Sequence, residues 1–140
     1  MDPTVKKAIF ERVASEPFAR TLDIRLVELE EGFSAVEMVF DPKKMNNIYG
    51  RAHGGAVFAL IDEAFQTVGQ WDGTIGVALN VNVTYVSSPA PGTRLRAEAR
   101  EVSRTKKTAG YQIMVTDSEK ALVATCQALL YRTGKPIPFL

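Results

Sequence analysis

Residues 46–71 read NNIYGRAHGGAVFALIDEAFQTVGQW, and this stretch predicts the central element of the fold. It contains the only histidine of the chain, His53, which is followed by two glycines and then by an apolar run with helical spacing. At 100° per residue, the apolar side chains of that run share one arc of about 140°, and they belong to Val57, Leu60, Ile61, Ala64, Phe65 and Val68. The pattern predicts a long central helix, from about residue 54 to 70, whose apolar face packs against a sheet.

Strand patterns occupy most of the rest of the chain. Two short apolar runs flank Glu31-Gly32, which indicates a hairpin ahead of the central helix. Four more strand-like runs follow the helix, at residues 76–86, 93–103, 110–117 and 121–132. Because a parallel return needs a crossover of roughly a dozen residues, the short separators predict that successive strands are antiparallel neighbours.

The two ends of the chain carry different patterns. Apolar residues recur at helical spacing behind Pro3, which predicts a short helix over residues 3–15. Residues 134–140 contain two prolines and are expected to form an irregular tail. We therefore expect a single α+β domain over residues 1–140, in which a curved antiparallel sheet of about six strands wraps the central helix.

Composition excludes several classes of protein. With 46% hydrophobic and 24% charged residues, the chain is typical of soluble globular proteins, and no apolar run is long enough to span a bilayer. The first residues lack the features of a secretory signal, so we expect a cytoplasmic protein without membrane contact. One cysteine and one histidine cannot form a disulfide or a structural zinc site, and we expect no metal or redox cofactor. The net charge of +1 gives no overall footprint for nucleic acid.

The residues at the start of the central helix allow several roles. Gly54 and Gly55 either permit a tight turn or let backbone approach a ligand, where the free N–H groups of a first helical turn stabilise an oxyanion. His53 can act as a base, cap the helix or bind a metal. Because no second candidate ligand lies nearby, the metal role is disfavoured.

Two adjacent carboxylates lie further along the same helix. Asp62 has Phe58 and Phe65 as its i−4 and i+3 neighbours, so it lies either on a wet edge or in a pocket. A dry pocket would oppose ionisation and make the carboxylate a more effective base near neutral pH. Glu63 falls on the opposite flank, where we expect an ordinary solvated carboxylate.

Helix geometry separates the two groups that chemistry would bring together. Asp62 lies eight positions after Gly54, which corresponds to about 12 Å along a helix. A reacting carbonyl needs the oxyanion donor and the base, or its water, within about 3 Å each. If both groups act, a second copy of the chain must supply one of them, which predicts a two-fold dimer with two composite sites.

The rest of the chain contains no evident nucleophile, but it contains one basic turn. There is no G-x-S-x-G motif, and Cys126 lies within a strand pattern without an evident partner. Glycine-rich phosphate loops are also absent. Arg104, Lys106 and Lys107 crowd one turn, where they would repel each other in the absence of an anion, so a small ligand with phosphate groups explains them.

The chain resembles the hotdog-fold acyl-CoA thioesterases, in particular the PaaI-like and THEM2-like group. Two motifs carry the resemblance, Asn47-x-x-Gly50-x-x-His53-Gly54-Gly55 with Leu60-x-Asp62-x-Ala64, and Tyr85-x-x-x-Pro89-x-x-Gly92. The similarity extends over about residues 18–132. It implies a sheet that wraps a long helix, homodimers with a continuous sheet, and often a dimer of dimers.

The resemblance also implies roles for individual residues. Gly54 would donate its backbone N–H to the thioester oxygen, His53 would fix the loop, and Asn47 would position the substrate or a water. Asp62 of the partner subunit would be the general base or the nucleophile. The phosphates of CoA would lie near the basic turn, at Arg104, Lys106 and Lys107.

Two features of the sequence concern the substrate pocket, a missing hydroxyl residue and a group of aromatic residues. Some relatives carry Ser or Thr where this chain has Ala78, so Asn80 or Asn82 is a candidate replacement. Aromatic residues of the central stretch and the next strand either line an aryl pocket or belong to the core. The candidate substrate contacts are therefore Gly55, Phe58, Phe65 and Asn82, besides the basic turn.

The expected activity is hydrolysis of an acyl-CoA or aryl-acyl-CoA thioester to a carboxylic acid and CoA. No cofactor is expected, because CoA is part of the substrate. Two alternatives remain open on the same fold. They are a noncatalytic acyl-CoA binding or sensor protein and an enoyl-CoA hydratase.

Overall fold

A computed structural model describes all residues, 1–140, and contains four helices and six strands. In chain order the elements are α1 (Pro3–Ser15), α2 (Pro17–Leu22), β1 (Arg25–Glu30), β2 (Phe33–Val39), α3 (Pro42–Met45), α4 (Gly54–Val68), β3 (Thr74–Tyr85), β4 (Arg94–Arg104), β5 (Thr108–Thr116) and β6 (Leu122–Pro136). The strands form one antiparallel sheet in the order β1-β2-β4-β5-β6-β3. The predicted α+β fold, with a six-stranded antiparallel sheet and a central helix, is confirmed.

The central helix, α4, lies across the concave face of the sheet. The six residues of its predicted apolar stripe are all at most 3% exposed, and they pack chiefly against β2, β4 and β5. Ser34 of β2 donates a buried hydrogen bond of 2.7 Å to the carbonyl of Ala64, which ties the helix to the sheet. The helix ends at Val68, two residues before the predicted end, and Gly69 follows as its C-cap.

The N-terminal helices cover one side of α4. The first helix, α1, has the predicted bounds, and the Asp2 carboxylate caps it by accepting the N–H groups of Thr4 and Val5. The second, α2, was not predicted, because six residues are too few to display helical periodicity. Pro17 occupies its first turn, and Asp23 ends it in the left-handed conformation at φ 53°.

The position of β3 differs from the prediction. The short separator after β3 predicted an antiparallel β3–β4 pair, but β3 pairs with β6 at the edge of the sheet and β4 lies between β2 and β5. Residues 86–93 connect the two strands. Crossing three strand spacings requires about 14 Å, whereas eight extended residues reach roughly 25 Å. A short separator therefore permits this crossing as well as a hairpin.

The C-terminal segment is more regular than predicted. Strand β6 continues through Gly134 to Pro136, and Pro136 lies opposite Thr74 of β3. Ile137 is 2% exposed and donates its N–H to the carbonyl of Gly73. Proline is tolerated at a strand end, where its missing N–H leaves no gap in the ladder. Of the predicted tail, residues 134–140, only 137–140 lie outside regular structure.

Candidate active site

His53 caps the N-terminus of α4. Its Nδ1 accepts the N–H of Gly55 at 2.8 Å, and its own backbone N–H donates to the carbonyl of Met45 at 2.7 Å. A side chain at position 55 would meet the imidazole, since an added Cβ would lie 3.0 Å from Nδ1. Of the roles open to His53, the structure shows the helix cap, which supports the loop rather than the chemistry.

Gly54 presents a free backbone donor. Its N–H makes no hydrogen bond within the chain, whereas the neighbouring Gly55 N–H is used by His53. The donor lies at the start of a 15-residue helix, where the helix dipole favours negative charge. Gly54 therefore has the properties of an oxyanion donor.

Asn47 organises the loop that leads into this turn. Its Oδ1 accepts the N–H groups of Tyr49 at 2.9 Å and Arg51 at 3.1 Å, and Gly50 closes the turn at φ +71°. The side-chain NH₂ of Asn47 has no partner within the chain. Asn47 therefore keeps two donors free while its oxygen holds the loop.

Asp62 lies on the open side of α4. Its side chain is exposed and its carboxylate makes neither a hydrogen bond nor an ion pair within the chain. Surrounding protein atoms nevertheless desolvate it and raise the pKa of Asp62 above the ordinary aspartate value. Phe58, one turn earlier, is 36% exposed beside it. This pair lies on the wet edge of the helix rather than in a closed pocket.

Of the two positions that the sequence left open for Phe65, an aryl pocket or the core, the structure shows the core. Phe65 is 1% exposed, and its ring makes an edge-on contact with Tyr111 at a centroid distance of 5.4 Å. The helical wheel places Phe65 next to Asp62, but it also places it inside the buried stripe, and the packing of β5 decides between the two. Phe65 is a core residue.

Asn82 is misplaced by the prediction. On β3 it lies opposite the exposed Gln127, whereas its neighbour Val83 lies opposite the buried Cys126. Since side chains alternate along a strand, Asn82 projects from the sheet face away from α4. Asn80 lies opposite the exposed Leu129 and shares that face. Neither asparagine can replace a hydroxyl on the helix side of the sheet.

Glu63 is buried rather than solvated. It is 3% exposed, and the Gln66 amide donates to its carboxylate at 3.1 Å and to that of Glu16 at 2.6 Å. Burial, together with the nearby charge of Glu16, raises the pKa of Glu63 to about 7. The junction of α1 and α2 covers this flank of α4, a contact between distant segments that the local pattern does not reveal.

Arg104 is neutralised by two carboxylates of its own chain. Its guanidinium donates two bonds of 2.6 Å to Glu101 and one of 2.7 Å to Asp72. The argument that a bound anion must relieve repulsion at this turn therefore fails for Arg104. Lys106 is exposed and without a partner, and Lys107 contacts only the exposed Tyr131, at 3.4 Å from its hydroxyl.

No nucleophile or metal cluster competes with these groups. The Cys126 thiol is buried, and burial raises its pKa to about 11, so it is protonated near neutral pH. The chain contains no group of three or more His, Cys, Asp or Glu side chains that could hold a metal ion. None of its helices is long and apolar enough to cross a membrane.

The comparison with known families decides the class. The model of the thioesterase superfamily matches residues 49–124, which include the turn, the central helix and the edge strand. The chain belongs to the thioesterase superfamily. It is accordingly a thioester hydrolase, and the enzyme class expected from the sequence is confirmed.

Individual relatives agree with this membership. An esterase candidate of Archaeoglobus fulgidus is 36% identical over 119 residues, covering 84% of this chain and 75% of its own. The acyl-coenzyme A thioesterase PaaI of Escherichia coli is 28% identical over 119 residues, covering 85% and 84%. The solved structure of that PaaI protein superposes with a TM-score of 0.87 at 25% identity, over 95% of this chain and 99% of its own. The hotdog fold and the PaaI-like resemblance are thereby confirmed.

A further structure includes a ligand. A Streptococcus mutans protein bound to acetyl CoA superposes with a TM-score of 0.76 at 30% identity, over 81% of this chain and 91% of its own. In the thioesterase described here, none of the five main pockets of the single chain is lined by Gly54 or Asp62. A pocket of about 430 Å³ lies instead between α1, α2 and β1. In a single copy the Asp62 side chain is exposed, whereas Gly54 is partly covered, with the Tyr85 ring beside it.

The sequence alone missed one residue of this turn. The hydroxyl of Tyr85, at the end of β3, donates to the carbonyl of Gly54 at 3.1 Å. Tyr85 is separated from Gly54 by 31 positions, so helical or strand periodicity gives no sign of the contact. The motif that contains Tyr85 identified a strand and a turn, but not where the ring lies.

Proposed function

We propose that this thioesterase hydrolyses acyl-CoA or aryl-acyl-CoA thioesters to the carboxylic acid and CoA. The observation that carries the proposal is the free N–H of Gly54 at the start of α4, next to a Gly55 N–H already bonded to His53. The Escherichia coli relative, an acyl-coenzyme A thioesterase, and the acetyl CoA bound to the Streptococcus mutans protein support this substrate class.

The proposed chemistry divides the work between backbone and carboxylate. The thioester oxygen accepts the Gly54 N–H, which stabilises the negative charge that develops as the carbonyl is attacked. Asp62 either removes a proton from the attacking water or attacks the carbonyl itself. Its raised pKa makes Asp62 a stronger base than an ordinary aspartate. Its carboxylate has no hydrogen-bond partner within the chain. The NH₂ of Asn47 is available to hold the substrate or the water.

The two groups are proposed to meet across a homodimer. Gly54 and Asp62 lie on one straight helix about 12 Å apart by its rise, so Asp62 of the partner subunit would complete the site. Strand β3 offers the contact, because it has a neighbour on one side only and exposes Val77 and Leu79 at 49% and 57%. Pairing of two β3 edges would give a continuous sheet. A dimer of dimers and a cytoplasmic location remain predictions.

Binding of the CoA phosphates is proposed for the two lysines of the β4–β5 turn. Lys106 and Lys107 are exposed and have no carboxylate partner. Arg104 is left out of this role, since Glu101 and Asp72 already neutralise it. The reaction needs no cofactor, because CoA enters as part of the substrate.

The test is turnover on a panel of aryl and straight-chain acyl-CoA thioesters. Asp62→Asn keeps the shape of the side chain but removes the base, so kcat should fall by about 100-fold or more. The control, Glu11→Gln, changes an exposed carboxylate on α1 and should leave kcat unchanged. An undiminished rate in Asp62→Asn would contradict the assignment. Tight binding of CoA esters without hydrolysis by the native protein would instead indicate a sensor, and hydration of enoyl-CoA would indicate a hydratase.

A further inference from the structure

Tyr85 lies over the first residue of α4. Its hydroxyl donates to the Gly54 carbonyl at 3.1 Å, and a Cβ added at Gly54 would lie 3.1 Å from Cζ of the same ring. One observation is polar and the other is steric, and both join the same two residues. The ring itself is 52% exposed, so the hydroxyl could bond to water and is not forced to this partner by burial.

The hydrogen bonds around this turn act on a single peptide group. The peptide that joins Gly54 to Gly55 has its oxygen bonded to the Tyr85 hydroxyl and its N–H bonded to Nδ1 of His53. Both ends of the peptide dipole are therefore fixed by side chains, one from the edge strand and one from the cap. The preceding peptide has its oxygen, the His53 carbonyl, bonded to the N–H groups of Ala56 and Val57, and only its Gly54 N–H is left without a partner.

Two consecutive glycines make such fixing necessary. Glycine has wider access to backbone conformations than other residues, so a Gly-Gly turn without external contacts samples several orientations. An oxyanion donor contributes most when its direction is set before the substrate arrives. The first backbone bonds of α4 run to the His53 carbonyl, and the side chains that bond to the Gly54–Gly55 peptide itself are those of His53 and Tyr85.

We propose that Tyr85 is a positioning residue for the reaction, which holds the Gly54–Gly55 peptide so that the Gly54 N–H points at the thioester oxygen. This inference rests on the proposed function. Tyr85 acts through Gly54 and touches neither the base nor the scissile bond. It also gives a reason for glycine at position 54, because any side chain there would meet the tyrosine ring.

The direct test is Tyr85→Phe, which keeps the ring and removes the hydroxyl. Loss of one hydrogen bond of ordinary strength should lower kcat by about 3- to 10-fold, while KM stays within about twofold because ground-state binding is untouched. In the same variant, NMR should show faster hydrogen exchange at the Gly55 amide and a shifted Gly54 amide resonance. Tyr111→Phe is the matched control, since its hydroxyl donates to Glu101 over the same 3.1 Å but far from the turn.

The outcomes separate this inference from the proposed function. The inference is supported if Tyr85→Phe lowers kcat without raising KM and perturbs both glycine amides, while Tyr111→Phe does neither. It is overturned if the glycine amides are unchanged, if kcat is unchanged, or if only KM rises. Should the native protein hydrolyse no thioester, the proposed function fails, and the amide measurement still decides whether Tyr85 holds the turn.

Discussion

Among single residues, Asp62 and Glu63 show how far burial can separate two neighbouring carboxylates. Asp62 is exposed and has no partner, whereas Glu63 is 3% exposed and shares the Gln66 amide with Glu16. Burial and the nearby charge of Glu16 raise the pKa of Glu63 to about 7, and its carboxylate is enclosed by its own chain. Only Asp62 is then available as a base on this helix.

The raised pKa of Glu63 predicts a pH-dependent loss of stability. In the unfolded chain Glu63 ionises near the ordinary glutamate pKa of 4.5, whereas burial in the folded chain raises the pKa to about 7. The folded state therefore binds the extra proton between these values, and stability falls as pH rises through that window. Glu63→Gln removes the titration and should be more stable than the native chain at pH 8, by at most about 3 kcal/mol.

Urea unfolding at pH 4.5 and pH 8 checks this prediction, with the difference between variant and native chain as the readout. The difference isolates Glu63, because the other titrating groups are common to both proteins. Glu11→Gln serves as the control on exposed α1 surface and should show no such difference. A Glu63→Gln variant whose advantage does not grow with pH would contradict the assignment.

Sequence reasoning about single residues succeeded where local geometry decides and failed where distant segments decide. The separation of Gly54 and Asp62 follows from the helix rise, and the cap role of His53 was among the alternatives. The burial of Glu63 depends on the junction of α1 and α2, some 50 positions away. The engagement of Arg104 likewise depends on Asp72, which lies 32 positions away in the chain.

Among the elements, the end of β4 is joined to its surroundings by an ion-pair network. Arg104 bonds to Glu101 and to Asp72, and Arg132 of β6 bonds to the same oxygen of Asp72 at 2.8 Å. The Arg104 guanidinium also lies 4.7 Å from the centre of the Trp71 ring. The network fastens the segment after α4 to two strands, β4 and β6, which is a structural role.

This role separates Arg104 from the two lysines experimentally. Arg104→Gln should lower the free energy of unfolding by about 1–3 kcal/mol, because it leaves partly buried carboxylates without their cation, and should leave KM unchanged. The double variant Lys106→Gln with Lys107→Gln should do the reverse, raising KM for CoA thioesters about 3- to 10-fold with kcat unchanged. Steady-state kinetics and urea unfolding of both variants check the pair. An Arg104 variant that raises KM without losing stability would restore its phosphate role.

The existence and type of the long elements followed from their periodicity, but their arrangement did not. The apolar stripe of α4 and the alternation in the strands were sufficient to predict a helix on an antiparallel sheet. The edge position of β3 depends on pairing with β6, whose register is set by contacts across the whole sheet. Local spacing cannot distinguish a crossing of residues 86–93 from a hairpin.

In the whole molecule, the proposed homodimer accounts both for the separation of the reactive groups and for the free edge of the sheet. One copy leaves the Gly54 N–H without a partner and the Asp62 carboxylate exposed, and it exposes Val77 and Leu79 along β3. Joining two copies at this edge would cover apolar surface and supply each Gly54 with the carboxylate that its own helix cannot deliver. We therefore expect each active site to combine Gly54 of one subunit with Asp62 of the other.

Complementation between two inactive variants tests whether two subunits share each active site. Asp62→Asn removes the base, and Gly54→Pro removes the backbone donor at a first helical position, where proline is tolerated. The proline Cβ would meet the Tyr85 ring at 3.1 Å, and that ring, which is 52% exposed, can shift to make room for it. The preceding His53 already has an extended conformation, with ψ 131°, as a residue before proline requires. Each variant alone should be nearly inactive, although both should form dimers of the native mass.

Mixing equal amounts of the two variants, unfolding them together and refolding them should produce heterodimers as half of the dimers. Each heterodimer then contains one site with both groups intact and one with neither. If the active site is shared between subunits, the mixture should recover about a quarter of the native activity per chain. Activity no higher than that of the two variants refolded separately would contradict it and place Gly54 and Asp62 in the same subunit's site.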